Sequence, residues 1–337
     1  MIETDSSQVR RLRVGQKVFM LVGALVTIGC LYLAFAGIRW DLLWSEMKQA
    51  SPGYILLGFL LQLAAVGCMA FRWKVELSDE GVVSYRDAFS SVSSSIFFNN
   101  YIPLRIGDLI RSFLMARKTN QSRIQVLSVL FVERLIDFTV VLLLAAFSLQ
   151  LLLTVAAIEL SALILVASIL GGIFLGLFLL YRVNSREWIR LRVIGGFPEG
   201  PRRFLEGLLD RIVKGLQSFQ SSFRLLQILL WTVGIWVCHM AGSYAWTTAF
   251  GLGIPPGGIV LLVSMLNLAT LLPSSPGGIG LYHQVAIWAL SPWVPLKEEA
   301  LAFGTVTHGL IALQGLMLGI FTFLSEGISF NQLTRQA

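Results

Sequence analysis

One apolar segment of this sequence cannot remain a single helix, and the rest of the chain has to accommodate its break. Residues 96–111 read Ile-Phe-Phe-Asn-Asn-Tyr-Ile-Pro-Leu-Arg-Ile-Gly-Asp-Leu-Ile-Arg. Pro103 removes a backbone donor and clashes with the preceding turn, and Gly107 adds a weak point four residues on, so the helix is expected to end and restart here. At membrane depth such a break survives only where the freed backbone groups face protein or a water-filled cavity. Residues 271–283, Leu-Leu-Pro-Ser-Ser-Pro-Gly-Gly-Ile-Gly-Leu-Tyr-His, repeat the device, with Pro273 and Gly277 at the spacing of Pro103 and Gly107. Two interrupted apolar segments in corresponding positions of two halves point to a transporter binding site. The alternative is two unrelated loops that each need Pro and Gly.

The membrane setting follows from composition. A chain that is 55% hydrophobic and 13% charged over 337 residues is not an ordinary soluble domain. Its formal charge of +7 sits in loops beside apolar runs, which is the positive-inside bias rather than a nucleic-acid surface. Cys30, Cys68 and Cys238 lie far apart inside apolar segments, with no metal-type pairing, and read as small buried hydrophobes.

Loop charge then orders the chain. Residues 1–16 form a basic tail expected in the cytoplasm, followed by a first span over 17–38 and a short loop whose Trp40 and Trp44 suit the opposite interface. A second span over 53–71 is closed by Arg72, Trp73 and Lys74, and residues 84–116 form a re-entrant hairpin entering from the cytoplasm. Spans over 125–153 and 159–181 follow. Residues 182–224 hold nine Lys or Arg against four Asp or Glu and are expected in the cytoplasm. Within them, residues 204–223 carry apolar side chains near helical spacing, either an interfacial amphipathic helix or one packed on another cytoplasmic loop. A fifth span over 225–249, a second hairpin over 258–290 entering from outside and a last span over 301–325 bring the tail, 327–337, back to the cytoplasm. The expected fold is an all-α polytopic membrane protein of six full spans plus two re-entrant broken-helix hairpins. They form an inverted-topology repeat, 17–158 against 159–326; counting the second hairpin as two crossings gives eight.

The polar residues inside these segments are the candidates for function. Arg105, Asp108 and Arg111 recur every three residues, and Asn100 lies just before the break. Guanidinium forks match phosphate oxygens, and a fresh helix N-terminus adds free N–H groups, so Arg105 and Arg111 suit an anionic headgroup; the alternative is interfacial salt bridging. Glu133, Arg134 and Asp137 sit on adjacent turns, with either acid able to neutralise Arg111 or Arg105 across helices or to carry a proton. Ser274, Ser275 and the amides of Gly277, Gly278 and Gly280 allow close approach of an anion, and His283 follows as a titrating, donating or merely packed residue. His239, His308, Gln314 and Glu326 read as packing or loop residues. No catalytic, metal-binding or nucleotide-binding fingerprint occurs, so the expectation is a non-enzyme without cofactor or metal.

Three ordered motifs, residues 100–111, Val-Glu-Arg-Leu-Ile-Asp over 132–137 and Leu-Pro-Ser-Ser-Pro-Gly-Gly-Ile-Gly over 272–280, resemble the membrane domain of lysylphosphatidylglycerol synthases and its stand-alone flippase-like relatives. The resemblance covers nearly the whole chain. It implies movement of a lipid or lipid-linked intermediate between leaflets of the inner membrane: an anionic phospholipid, a polyprenyl-phosphate-linked glycan, or a hopanoid or glycolipid precursor. Relatives often carry a glutamate at the position of His283, which tilts the expectation toward an anionic or sugar-phosphate lipid rather than a cationic headgroup. With 337 residues there is no room for the soluble aminoacyl-transferring domain of the full synthases, so aminoacylation is not expected. The rival expectations are a subunit that presents a lipid to a separate lipid-modifying enzyme, and a secondary transporter of a small anion. A homodimer is compatible with either.

Overall fold

The structure, a computed structural model, describes residues 6–77, 83–102, 106–119, 121–152, 196, 198–216, 221–270, 272 and 275–326. The described residues are helical, with no strand among them. The helices are α1 (Ser6–Phe35), α2 (Trp40–Gln49), α3 (Pro52–Glu76), α4 (Tyr85–Tyr101), α5 (Gly107–Lys118), α6 (Arg123–Leu152), α7 (Glu199–Leu216), α8 (Ser222–Ala249), α9 (Pro256–Ala269), α10 (Leu281–Leu290) and α11 (Lys297–Glu326), with a 3₁₀ turn at Pro276–Gly278. The expected span over 159–181 and the loop that follows it up to residue 195 lie outside the described residues.

Among the described helices, α3, α8 and α11 are each long and apolar enough to cross a membrane. Their outward faces are apolar at helical spacing. Leu226, Leu230, Val233 and Val237 stand exposed along α8, and Leu313, Leu316, Met317 and Ile320 along α11. A soluble protein does not expose apolar stripes of this length; a bilayer solvates them. The protein is an all-α polytopic membrane protein.

Two elements differ from the sequence reading. The segment after the first span is not a loop but helix α2, which turns 88° away from the end of α1. Its Leu43 is buried with Ala34, Leu301 and Ala302, while Trp40 and Trp44 stay exposed, so the corner docks on α11 by one face. Arg39 fixes the same corner by bonding Glu298 through its Nε at 3.1 Å. The amphipathic helix ends at Leu216, before Phe223, which belongs to the first turn of α8. Ser221, in extended conformation, precedes the first residue of α8, so the single periodicity read over 204–223 runs from one helix into the first turn of another.

Both expected helix breaks are present. Ser84 caps α4, its Oγ accepting from the Asp87 amide at 3.1 Å, and α4 ends at Tyr101. At 17 residues it is about 25 Å long by its helical rise, short of a full crossing of roughly 30 Å. Chain direction is recovered across the break by Asn99, whose Oδ1 accepts from the Gly107 amide at 3.0 Å and so satisfies the first orphan donor of α5. Gly107 sits so close to α4 that a Cβ there would lie 2.2 Å from the Ser95 carbonyl oxygen. Backbone cannot yield as a side chain can, so Gly107→Ala is expected to destabilise the protein by about 1–3 kcal/mol or more through overpacking. Thermal melting in detergent reads this directly, and an unchanged midpoint would mean the α4–α5 contact is looser than described.

The second break runs from Ala269 to Leu281. Gly277, Gly278 and Gly280 adopt φ of 70°, 73° and 82°, a left-handed conformation that L side chains rarely take. Gly280 also lies against α1, where a Cβ would meet the Thr27 carbonyl at 2.8 Å. This tight, glycine-dependent turn carries the chain from α9 into α10.

Candidate functional site

The two breaks touch. A Cβ on Gly277 would be 3.1 Å from the Asn100 carbonyl oxygen, so the end of α4 and the 3₁₀ turn are in direct backbone proximity. Helix α11 passes behind both. Its Gly315 and Gly319 lie four residues apart and face α4, with hypothetical Cβ positions 2.6 Å from Asn100 Nδ2 and 2.2 Å from the Phe97 ring. Small residues at this spacing allow close helix approach in a bilayer, where packing rather than water drives association. The contact is reinforced by the Thr322 hydroxyl donating to the Ser90 carbonyl at 3.1 Å and by His308 on α11, whose Nε2 meets the Gly277 carbonyl at 2.8 Å.

Beside the first break lies a buried ion cluster. Arg72 of α3, 1% exposed, donates through both terminal nitrogens to the Asp137 carboxylate at 2.6 and 2.8 Å, and reaches Thr232 of α8 at 3.1 Å. Its Nη2 is also 3.2 Å from Glu133, and its Nε 3.7 Å from Glu76. Arg111 of α5, 2% exposed, makes a second bidentate pair, to Glu133 of α6 at 3.0 and 2.9 Å, with its guanidinium 3.9 Å over the Trp73 ring. Arg134 bonds Asp108 at 3.1 Å, and Asp108 also accepts from Ser95 at 2.6 Å. The cluster ties α3, α4, α5, α6 and α8 together, with fork-to-carboxylate geometry at Arg72–Asp137 and Arg111–Glu133.

The cluster decides between readings that the sequence left open and corrects others. Arg111 takes the salt-bridging alternative, with Glu133 as its partner, rather than presenting a free fork to a phosphate: both of its terminal nitrogens are held by Glu133, and its face by Trp73. Asp137 pairs with Arg72, a partner not considered from the sequence. Arg72 and Trp73, read as interfacial residues closing the second span, are buried at the centre of the cluster. The glycine amides are also partly spent, since Gly278 N–H donates to the Ser275 carbonyl at 2.9 Å and Gly280 N–H to His283 Nδ1 at 3.4 Å. Ser275 N–H donates to Thr27 Oγ1 at 2.9 Å. His283 is buried behind the turn, 6.0 Å from the Phe35 ring and 5.0 Å from His308 by ring centroids. Arg105 and Ser274 lie outside the described residues.

Where the breaks meet, the structure encloses a cavity of about 340 Å³. Asn99, Asn100, Ser275, Gly277 and Gly278 line it from the breaks, Gln62 and Met69 from α3, His239, Ser243 and Trp246 from α8, Asn267 from α9, Tyr282 from α10, and His308 and Gln314 from α11. His239 is positioned by Gln62, with Nδ1 2.6 Å from the Gln62 side-chain Oε1. Asn267 is held by its own helix, its amide donating to the Val263 carbonyl at 2.8 Å. Of the residues singled out from the sequence, Asn100, Ser275, Gly277 and Gly278 line this one cavity; Gln62, His239, Asn267, His308 and Gln314, which the sequence reading left out of the site, line it too. Each missed residue is a polar group in an apolar helix, and that isolation is the signal which could have identified it.

The comparisons agree with this architecture. The family model described as the lysylphosphatidylglycerol synthase TM region matches residues 20–319. Glycosyltransferase AglD of Haloferax volcanii is 24% identical over 358 residues, which cover 95% of this chain and 56% of that protein. A UPF0104 membrane protein of Methanothermobacter thermautotrophicus is 24% identical over 284 residues, 79% of this chain and 83% of the relative. The chain therefore spans little more than half the length of the first relative and most of the second. Because the family match runs from α1 through α11 and includes both helix breaks, the chain belongs to the lysylphosphatidylglycerol synthase transmembrane-region family.

Proposed function

We propose that this protein is a lipid translocase of the inner membrane. In this reading the polar headgroup of a membrane lipid or lipid-linked intermediate enters the cavity between the two helix breaks, while its hydrocarbon chains remain in the bilayer. The observation that carries the proposal is the contact of the two breaks around a cavity whose wall carries asparagine, glutamine and histidine side chains. Interrupted helices at a repeat interface are the usual site of substrate binding in transporters, and rocking of one repeat against the other would expose the cavity to each leaflet in turn. The two halves are read as an inverted repeat, with both termini in the cytoplasm, as the charge of the loops suggests.

The ion cluster is assigned a supporting role: it holds α4 and α5 in place on either side of the break. The test is reconstitution of the full chain into vesicles of the host's own lipid extract. Translocation is followed as the loss of headgroups from reach of a phospholipase or glycosidase added outside. The proposal expects protein-dependent transfer. Equal rates in protein-free vesicles would reject it.

A second reading is that the chain presents a lipid to a separate enzyme. It draws support from the relative named as a glycosyltransferase, of which the match covers 56%. A stable complex with such an enzyme, without translocation by the purified chain, would favour it.

A further inference from the structure

The cavity wall separates the chemical classes of headgroup it could hold, and this argument rests on the cavity being the headgroup site. Among the described residues the wall contains no Lys, Arg, Asp or Glu. Its polar ends are amides, hydroxyls and imidazole nitrogens, and several are uncommitted. Gln314, 7% exposed, makes no hydrogen bond among the described residues, and the Asn100 amide nitrogen is buried without an acceptor. Asn267 spends its N–H on Val263 and keeps its carbonyl oxygen. His308 must donate Nε2–H to the Gly277 carbonyl, and His239 Nδ1–H to Gln62, so each neutral ring keeps its second nitrogen as an acceptor.

A wall of this kind mixes donors and acceptors. A phosphate only accepts and an ammonium only donates, so each could use only part of these polar ends. A hydroxyl both donates and accepts, so a group bearing several hydroxyls meets partners of both kinds. The volume of about 340 Å³ lies at the low end of the roughly 300–1,000 Å³ typical of small-molecule sites, enough for one sugar-sized group with the lipid chains left outside. We infer that the cavity binds a polyhydroxyl headgroup, a sugar or polyol, of a membrane lipid.

Native mass spectrometry of the detergent-purified full chain tests this with three lipids sharing oleoyl chains: monoglucosyldiacylglycerol, phosphatidic acid and phosphatidylethanolamine. The glucosyl lipid is expected to be held about 10-fold more tightly than either of the others, a difference of one or two hydrogen bonds. Gln314→Ala should reduce that binding about 10-fold, and Gln314→Asn, which keeps the amide, should restore part of it. Thermal melting of each variant confirms that it is folded. Phosphatidic acid or phosphatidylethanolamine held as tightly as the glucosyl lipid, with Gln314→Ala still weakening the interaction, would overturn the headgroup class and leave the headgroup site standing. If Gln314→Ala and Asn267→Ala, both folded, left all three lipids unaffected, the cavity would not be the headgroup site at all.

Discussion

Arg72→Ala is expected to lower the stability of the folded protein by about 3–5 kcal/mol, the loss that follows when one partner of a buried ion pair is removed and the other is left uncompensated. Three carboxylates would lose a cation at once: Asp137, held in a bidentate pair, Glu133 at 3.2 Å and Glu76 at 3.7 Å. Glu76 and Glu133 are not positioned to gain water cheaply, because both are buried and the Trp73 and Arg111 side chains close the same space. The readout is the melting temperature in detergent, with yield of monodisperse protein as a second measure. A double-mutant cycle separates the pair from its surroundings. Arg111→Met with Glu133→Leu should be less harmful than either change alone, since apolar replacement of a whole ion pair is often tolerated. Arg72→Ala melting with the wild type would show that the cluster does not hold the helices together.

The second large effect concerns the cavity. Asn100→Leu combined with Gln314→Leu keeps side-chain bulk close to native and removes two amides from the wall at the point where the breaks meet. Each lost hydrogen bond to a headgroup is worth about a factor of 10, so translocation should fall roughly 100-fold while melting changes little. The asymmetry between the two experiments distinguishes the roles. Cluster variants are expected to lose stability first, and cavity variants activity first.

Much of this arrangement was legible in the sequence because it depends on residues with unusual backbones. Pro103 with Gly107, and Pro273 with Gly277, mark the two breaks, and the observed helix ends at Tyr101, Gly107, Ala269 and Leu281 bracket them. Side-chain partnerships were less legible. Arg72 follows an apolar run and precedes Trp73 and Lys74, a pattern shared by every interfacial anchor; only the packing of α6 against α3 and α5 reveals that it faces Glu133 and Asp137. For Arg111 the sequence offered both a free fork and a pair with Glu133 or Asp137, and only the fold shows that Glu133, 22 positions on, is the acid that meets it. His239 and His308 looked like packing residues for the same reason, since their partners, Gln62 and Gly277, come from other helices. The Gly315 and Gly319 pair, which packs on α4, was a further clue in the spacing.

The most direct test of the account is lipid mass spectrometry on gently purified protein in three forms: wild type, Gln314→Leu, and the Arg111→Met, Glu133→Leu double variant. The cavity reading predicts that one defined lipid class copurifies with the wild type and the double variant and is lost from Gln314→Leu. Loss of that lipid from the double variant but not from Gln314→Leu would contradict it, and would return the headgroup to the arginine.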